Sequence, residues 1–481
     1  MIRRPPRSTQ GVSSAASDVY KRQTMVLLNQ KTDVELVGHL MRRAAFGEPI
    51  DRLEEKASSA YEALVDDLIN VDKFPRLNED LLERHNIQHA DEESRQWTRA
   101  RWIYRMINSE RPLEEKVALM WHDVFATGDS KVGNNPMMRT HYEMLRDHGL
   151  GNFRNLLLAL AKDPAMIYWL DQQMNHAKAP NENFGRELLE LFSMGIGNYT
   201  EEDVKECARA FTGWTKSQTI PRYPNGFFDS KFIFREEDHD NGPKTFLGET
   251  GNFNGDDIID IIVKQPATAQ FVAAQIYDFF VSDDPDAARI DDIARVFIES
   301  EYVVSDVLRF VFNSDFFKES RFNKVKSPAE LVVGTAILAG RHQTPYEFGL
   351  TKMATATKNM GQDLLNPPTV EGWHTGREWI DSSYLVERIN FSSKMIGDLE
   401  APGTSKMLDR ISTNRVSMTP DELLDACLSE MGKIHLKPPS RAILFEELNV
   451  TSELTCGTEE FEAVVSQVLR LIVSSREYQF A

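Results

Sequence analysis

Cysteine is scarce: Cys207, Cys427 and Cys456 are the only three in 481 residues. An odd and widely spaced set cannot build a disulfide framework or a tetrathiolate metal centre, so all three read as structural thiols. Long apolar runs are missing too. The longest strongly apolar stretch, Leu331 to Gly340, is about half of the roughly 20 residues that span a bilayer, so no transmembrane helix is expected. Positive charge is in deficit, with 55 Lys and Arg against 74 Asp and Glu and a formal charge of -19. That balance argues against nucleic acid or an anionic membrane as the main partner, because both need a basic footprint.

Several chemical signatures are also absent. There is no Gly-x-Ser-x-Gly elbow, no P-loop and no dinucleotide fingerprint after a strand, which removes nucleotide hydrolysis and hydride transfer from consideration. His-Glu-x-x-His does not occur, and the single Glu-x-x-His, Glu236 to His239, falls in an expected loop, whereas carboxylate-bridged di-iron bundles need two such motifs on helices. Asp238 to Glu249 begins and ends like a calcium loop, but Gly242 stands at a ligand position and Pro243 where glycine is required.

What is present is an ordinary globular composition, 41% hydrophobic and 27% charged, sufficient for a large buried core. Residues Met1 to Gln23 differ from everything after them, being basic, Ser-rich and without apolar periodicity. They resemble a translated sequencing adapter and are set aside as a non-native tail, which leaves the remainder at a net charge of -23. The folded unit is expected over residues 25 to 481. Its opening VLLNQKTD is too short an apolar stretch for a signal peptide, so the sequence leaves both a cytoplasmic and an exported location open.

Helical punctuation recurs along the chain. Asp33 opens and Gly47 closes VELVGHLMRRAAFG, Pro112 stands in the first turn of LEEKVALMWHDVFA, and Thr200 with Asp203 forms a capping box before VKECARAF. Ser327 and Pro328 start another helix at PAELVVG, while the nearby Lys324 and Lys326 read as plain solvated charges. From Thr215 to Asn254 the texture turns to Pro, Gly and aromatics, with KFIFRE as a strand candidate. The expected fold is mainly α: a single large multi-helix domain with a long irregular insertion that holds a short β-hairpin.

The helix expected from Asn181 to Met194 carries the densest polar pattern. Phe184, Leu188, Leu191 and Phe192 share one face, and Asn183, Glu187 and Glu190 form a stripe beside it. Leu189 points away from the main face, which implies cover on more than one side. Either Arg186 pairs with Glu182 and Glu190 at i, i+4 spacing on a solvated face, or the acidic stripe does chemistry as an acid/base or metal-binding pair. Histidines offer further candidates. His122 lies in MWHDVF, His141 on the face of a later helix, and His239 sits beside Asp240 in the insertion, where a loop can aim both groups into a cleft. The segment NPPTVEGWHTGREWI places Trp373, His374, Arg377 and Trp379 on a Pro/Gly-rich loop, a composition suited either to stacking on a sugar ring or to a packed plug of buried indoles.

Two functional readings follow. In the first, a hydrolase-like enzyme uses Glu187, Glu190, His239 and Asp240 as its catalytic groups, assisted by a divalent metal on His122, His141 and His239. In the second, a non-catalytic binding or accessory protein engages a partner protein or a glycan through Asn183, Arg186, Trp373, His374 and Arg377.

The segments ELVGHLMRRAAFG, WHDVFAT, LGNFRNLLLALAKDPAMIYWLD, APNENFGRELLELFSMGIGNYTEEDVKECARAFTGW, HDNGPKTFLG, KSPAELVVG and NPPTVEGW occur in this order between about Glu35 and Tyr478. Together they resemble the bacterial family called domain of unknown function 1800 (DUF1800). The resemblance implies no established reaction, cofactor or catalytic residue. It does imply association with a protein of a second uncharacterised family, domain of unknown function 1501 (DUF1501), which is similar to sulfatases and alkaline phosphatases, and export of some members.

Overall fold

The helix Pro328–Ala339 is apolar on every side, and a helix of that kind belongs at the centre of a protein. In the computed structural model, which describes residues 32–85, 94–217, 230–450 and 452–481, it packs against helices Ser94–Asn108, Leu350–Asn359, Ser382–Ile396 and Pro402–Ser412. Its start is fixed by a capping box between Ser327 and Glu330, with Pro328 in the first turn, and its end by Gly340 in the left-handed region at φ 66°. A second central helix, Pro112–Val124, packs against Val34–Ala44, Tyr61–Ile69, Ser94–Asn108 and Asn135–His148.

Helices from both ends of the chain join one continuous apolar core, with a smaller cluster of Val37, Met41, Ala45, Ile50, Leu53 and Ala57 under the first helix. The protein is therefore a mainly α, single-domain structure. Among the described residues, the only strands are three short antiparallel pairs. One is the expected hairpin: Phe232–Phe234 in KFIFRE pairs with Trp214–Lys216, in the register Trp214 to Phe234. The insertion also holds a ribbon that the sequence pattern did not indicate. Lys244–Phe246 and Glu249–Gly251 are joined by Leu247 and Gly248, both at positive φ. The Met1 to Gln23 segment lies outside the described residues.

No helix is long and apolar enough to cross a membrane among the described residues. Cys207 and Cys427 are buried and Cys456 partly buried, none of them bonded to another. Burial pushes the Cys207 and Cys427 thiols well up, as inert core groups require.

Candidate functional site

Helix Pro112–Val124 buries charged and polar side chains in several directions, and most of them are satisfied. Glu115 accepts hydrogen bonds from Trp102 Nε1 (3.1 Å) and Arg146 Nε (2.9 Å). Glu114 accepts from Arg146 Nη2 (2.9 Å) and Arg76 Nη2 (3.2 Å). Lys116 donates to Glu330, which also takes the Ser327 N–H (2.6 Å). These are buried ion pairs with hydrogen-bonded partners, the condition under which buried charge is tolerated.

His122, in the last turn of the same helix, breaks the pattern. It is fully buried, and neither ring nitrogen has a hydrogen-bond partner. Burial, then the neighbouring His141 and Arg99, holds its pKa well below the usual histidine value, so the ring is neutral. The His141 ring lies 5.7 Å away and the Trp373 ring 5.1 Å away, both edge-on. His141 Nδ1 is 2.9 Å from Asp163 Oδ2, and that oxygen also caps the next helix by accepting the Met166 N–H at 2.9 Å. A carboxylate on Nδ1 fixes the tautomer and leaves Nε2 free toward His122. His141 Nε2, Asp163 Oδ1 and Trp373 Nε1 are likewise buried without partners. Buried polar groups are nearly always paired, and here five such atoms lie on neighbouring side chains.

The element that closes this cluster is the Asn366–Ile380 loop. Its base is tied down by Arg99 Nε donating to Leu364 O (2.6 Å), Asp129 N to Leu365 O (2.9 Å) and Ser130 N to Asn366 Oδ1 (2.9 Å). Its tip lies on Asp123, the residue after His122. Trp373 N donates to Asp123 Oδ1 at 2.8 Å. Gly372, at φ 95°, comes so near that a Cβ there would meet Asp123 Oδ1 at 2.5 Å and its backbone oxygen at 2.6 Å, so the close approach requires glycine. Gly376, at φ 62°, passes over the Asp283 carboxyl.

Asp123 is therefore flanked by Trp373 and felt by Asp278 and Lys324. Lys324 donates to Asp283 Oδ1 (2.6 Å) and lies 3.7 Å from Asp278. Burial raises the Asp123 carboxyl to about 7, with the Asp278 charge adding to the rise and the Trp373 N–H and Lys324 opposing it. A partly buried carboxyl that titrates near neutrality can both take and give a proton.

The chain belongs to the DUF1800 family. The family model, described as a protein of unknown function, matches residues 39–480 and so covers nearly the whole chain. No curated protein and no solved structure matches it. Within this DUF1800 chain, two of the segments that carried the resemblance, WHDVFAT and NPPTVEGW, meet at Asp123 and Trp373.

The structure brings together some of the residues singled out from sequence and separates others. His122, His141 and Trp373 share one site. Trp373 and Trp379 are buried, whereas His374 is exposed and pairs with Glu378 at 3.0 Å, and Arg377 is exposed beside it. The helix expected from Asn181 runs from Asn183 to Glu190, because the Asn181 side chain accepts the Asn183 N–H at 3.0 Å from outside the helix. Leu189 is buried, as cover on more than one side demands.

Arg186 pairs with Glu182 (3.2 Å) and with Glu201 (2.8 Å) on the next helix; the expected partner Glu190 instead accepts from Tyr199 OH at 3.0 Å. Asn183 is exposed, while Glu187 and Glu190 are partly buried. Burial, then the Glu190 charge, raises the Glu187 carboxyl, and Glu371 on the Asn366–Ile380 loop adds to the rise.

His239 and Asp240 belong to a different neighbourhood. His239 Nδ1 is 2.9 Å from Thr212 O and its ring lies against Phe234. Asp240 accepts from Arg209 Nε (2.7 Å) and Gly242 N (2.8 Å), and the Arg209 hydrogen bond holds its carboxyl below the usual range. Among the described residues, no three His, Cys, Asp or Glu side chains converge as a metal site. Lys324 and Lys326 are not solvated as expected: Lys324 is buried in its ion pairs, and Lys326 lies against the Tyr478 ring at 4.1 Å. Asp123 is not legible as a site residue in the sequence, because nothing local distinguishes it from an ordinary helix-end aspartate.

Proposed function

We propose that this DUF1800 protein is a hydrolase-like enzyme working by proton transfer at a carboxylate and histidine cluster centred on Asp123. The observation that carries the reading is the loop tip at Gly372–Trp373, which lies over a buried pair, the unpartnered His122 and the Asp163-bound His141, and at the same time binds the carboxyl of Asp123. Near neutral pH the ionised Asp123 accepts a proton from an attacking water, and its protonated form returns one to the leaving group. The Lys324 ammonium, fixed by Asp283, stabilises negative charge that develops nearby. His122, neutral and unpartnered, positions a polar substrate group through its free nitrogens, with the His141–Asp163 pair behind it. Glu187 supplies a second carboxyl at the rim, beside Glu190. His239 and Asp240 serve by holding the insertion on the helix that carries Arg209.

The test is release of p-nitrophenol from a panel of p-nitrophenyl esters, phosphates and glycosides by the wild-type protein and by Asp123→Asn. Turnover on at least one class, reduced by about 100-fold or more in the variant, is the expected result for loss of a general acid/base. Equal turnover by the two proteins would overturn the assignment.

A further inference from the structure

A narrow cavity of about 40 Å³ lies between helix Val34–Ala44, helix Pro328–Ala339, the Met431–Ile434 segment and the C-terminal Tyr478–Ala481 stretch. Its walls are apolar at Phe46, Leu53, Leu338 and Ile434, and it is lined as well by two cations, Arg42 and Lys326, and two carboxylates, Glu48 and Glu330. Arg42 stacks on Phe322 (4.9 Å) and uses Nη1 on Gly432 O (3.3 Å), while its buried Nε has no partner. Lys326 donates one hydrogen bond, to Tyr478 O at 2.7 Å, so two of its three N–H groups remain.

The charge balance around this cavity is uneven. Arg388, fully buried, spends its donors on Gln479 Oε1 (2.8 Å) and Lys326 O (2.9 Å), with Nη1 unpartnered. Two carboxylates stand in the wall and both are already engaged: Glu330 by Lys116, Arg43 and the Ser327 N–H, and Glu48 by Lys56 at 3.7 Å. Ala481 lines the cavity too, yet among the described residues no carboxylate lies within ion-pair distance of Arg42 or Lys326. Burial lowers both groups: Arg42 to about 10, with Arg321 and Arg43 adding to the fall and Glu35 opposing it, and Lys326 well below its usual value, with Arg42 and Arg388 adding and Glu330 opposing. In a chain of net charge -19, an excess of buried positive charge is the reverse of what composition would place there, and uncompensated buried charge is costly.

We propose that this cavity is a binding site for a small aliphatic monocarboxylate, whose carboxylate bridges the Arg42 guanidinium edge and the Lys326 ammonium while its short tail lies against Leu53, Leu338 and Ile434. The Nε side of a guanidinium presents two parallel N–H groups, the geometry a carboxylate accepts in bidentate fashion. A monoanion suits the site better than a dianion because Glu330 stands close by, and the narrowness admits only a few carbons. The site is separate from the Asp123 cluster, and its test does not depend on catalysis.

Equilibrium dialysis of the wild-type chain against radiolabelled propionate, at ionic strength held constant with chloride, is expected to give saturable binding of one molecule per chain. Arg42→Gln and Lys326→Met should each weaken it at least tenfold, while Lys205→Met, on a distant surface, leaves it unchanged. If Arg42→Gln does not fold, Arg42→Lys keeps the charge, loses the paired N–H edge and is expected to weaken binding. Absence of saturable binding to the wild type would overturn the proposal, as would binding of inorganic phosphate in place of propionate, or propionate binding insensitive to these substitutions.

Discussion

His122 and His141 stand 5.7 Å apart, yet they have opposite energetic roles. His141 satisfies the buried Asp163 carboxylate. Substituting His141→Leu strips a partner from that carboxylate and is expected to lower unfolding free energy by about 2 to 4 kcal/mol. His122 has no partner to lose, so His122→Leu should be neutral or stabilising by up to about 1 kcal/mol while abolishing whatever turnover the wild type shows. Urea unfolding of both variants beside the wild type checks the contrast. The sequence marks His122 and His141 as candidates by residue type alone; it does not mark Asp123, because its raised pKa comes from burial in the folded chain and then from the charge of Asp278, which is distant in sequence. Lys324 and Lys326 were misjudged for the same reason. Whether a lysine is solvated depends on what packs over its amine, and both sit under residues from other parts of the chain.

Elements were far more legible than their meeting points. The Thr200/Asp203 capping box and the Ser327–Pro328 helix start are legible within four residues of sequence, and helices Glu201–Ala210 and Pro328–Ala339 follow them, the second with Glu330 completing a capping box. The hairpin strand at Phe232–Phe234 was visible in its β-branched and aromatic pattern. The Asn366–Ile380 loop was visible as a loop, but its target was not, since Pro/Gly-rich composition says nothing of which helix it covers. Its register depends on Gly372. Gly372→Ala introduces a Cβ into Asp123 at positive φ and is expected to cost roughly 2 to 4 kcal/mol or displace the loop tip. Thermal unfolding, together with a shift in the fluorescence of the buried Trp373 and Trp379, would report it. An unshifted emission and unchanged melting temperature would mean that the loop does not hold Asp123 this tightly.

At the scale of the molecule, the mainly helical single domain follows from apolar periodicity and length, whereas the buried ionic centre does not. Lys116 and Glu330 connect the two central helices, 214 positions apart in sequence. Lys116→Met leaves Glu330 with Arg43 and the Ser327 N–H only, and is expected to cost about 3 to 5 kcal/mol, the range for breaking a buried pair from one side; calorimetric melting checks it. The central claim, that the fold holds the Asp123 carboxyl near pH 7, also has a whole-molecule signature. A carboxyl raised from about 4 in the unfolded chain binds its proton more tightly in the native state, so its contribution to stability is complete at pH 4 and is lost as pH rises to 7. The decisive measurement is the unfolding free energy of wild type and Asp123→Asn from pH 4 to 8.5. The variant should gain on the wild type by about 2 to 4 kcal/mol between pH 4 and pH 7.5 and hold that lead above it. Parallel profiles, or a lead that shrinks as pH rises, would contradict the account.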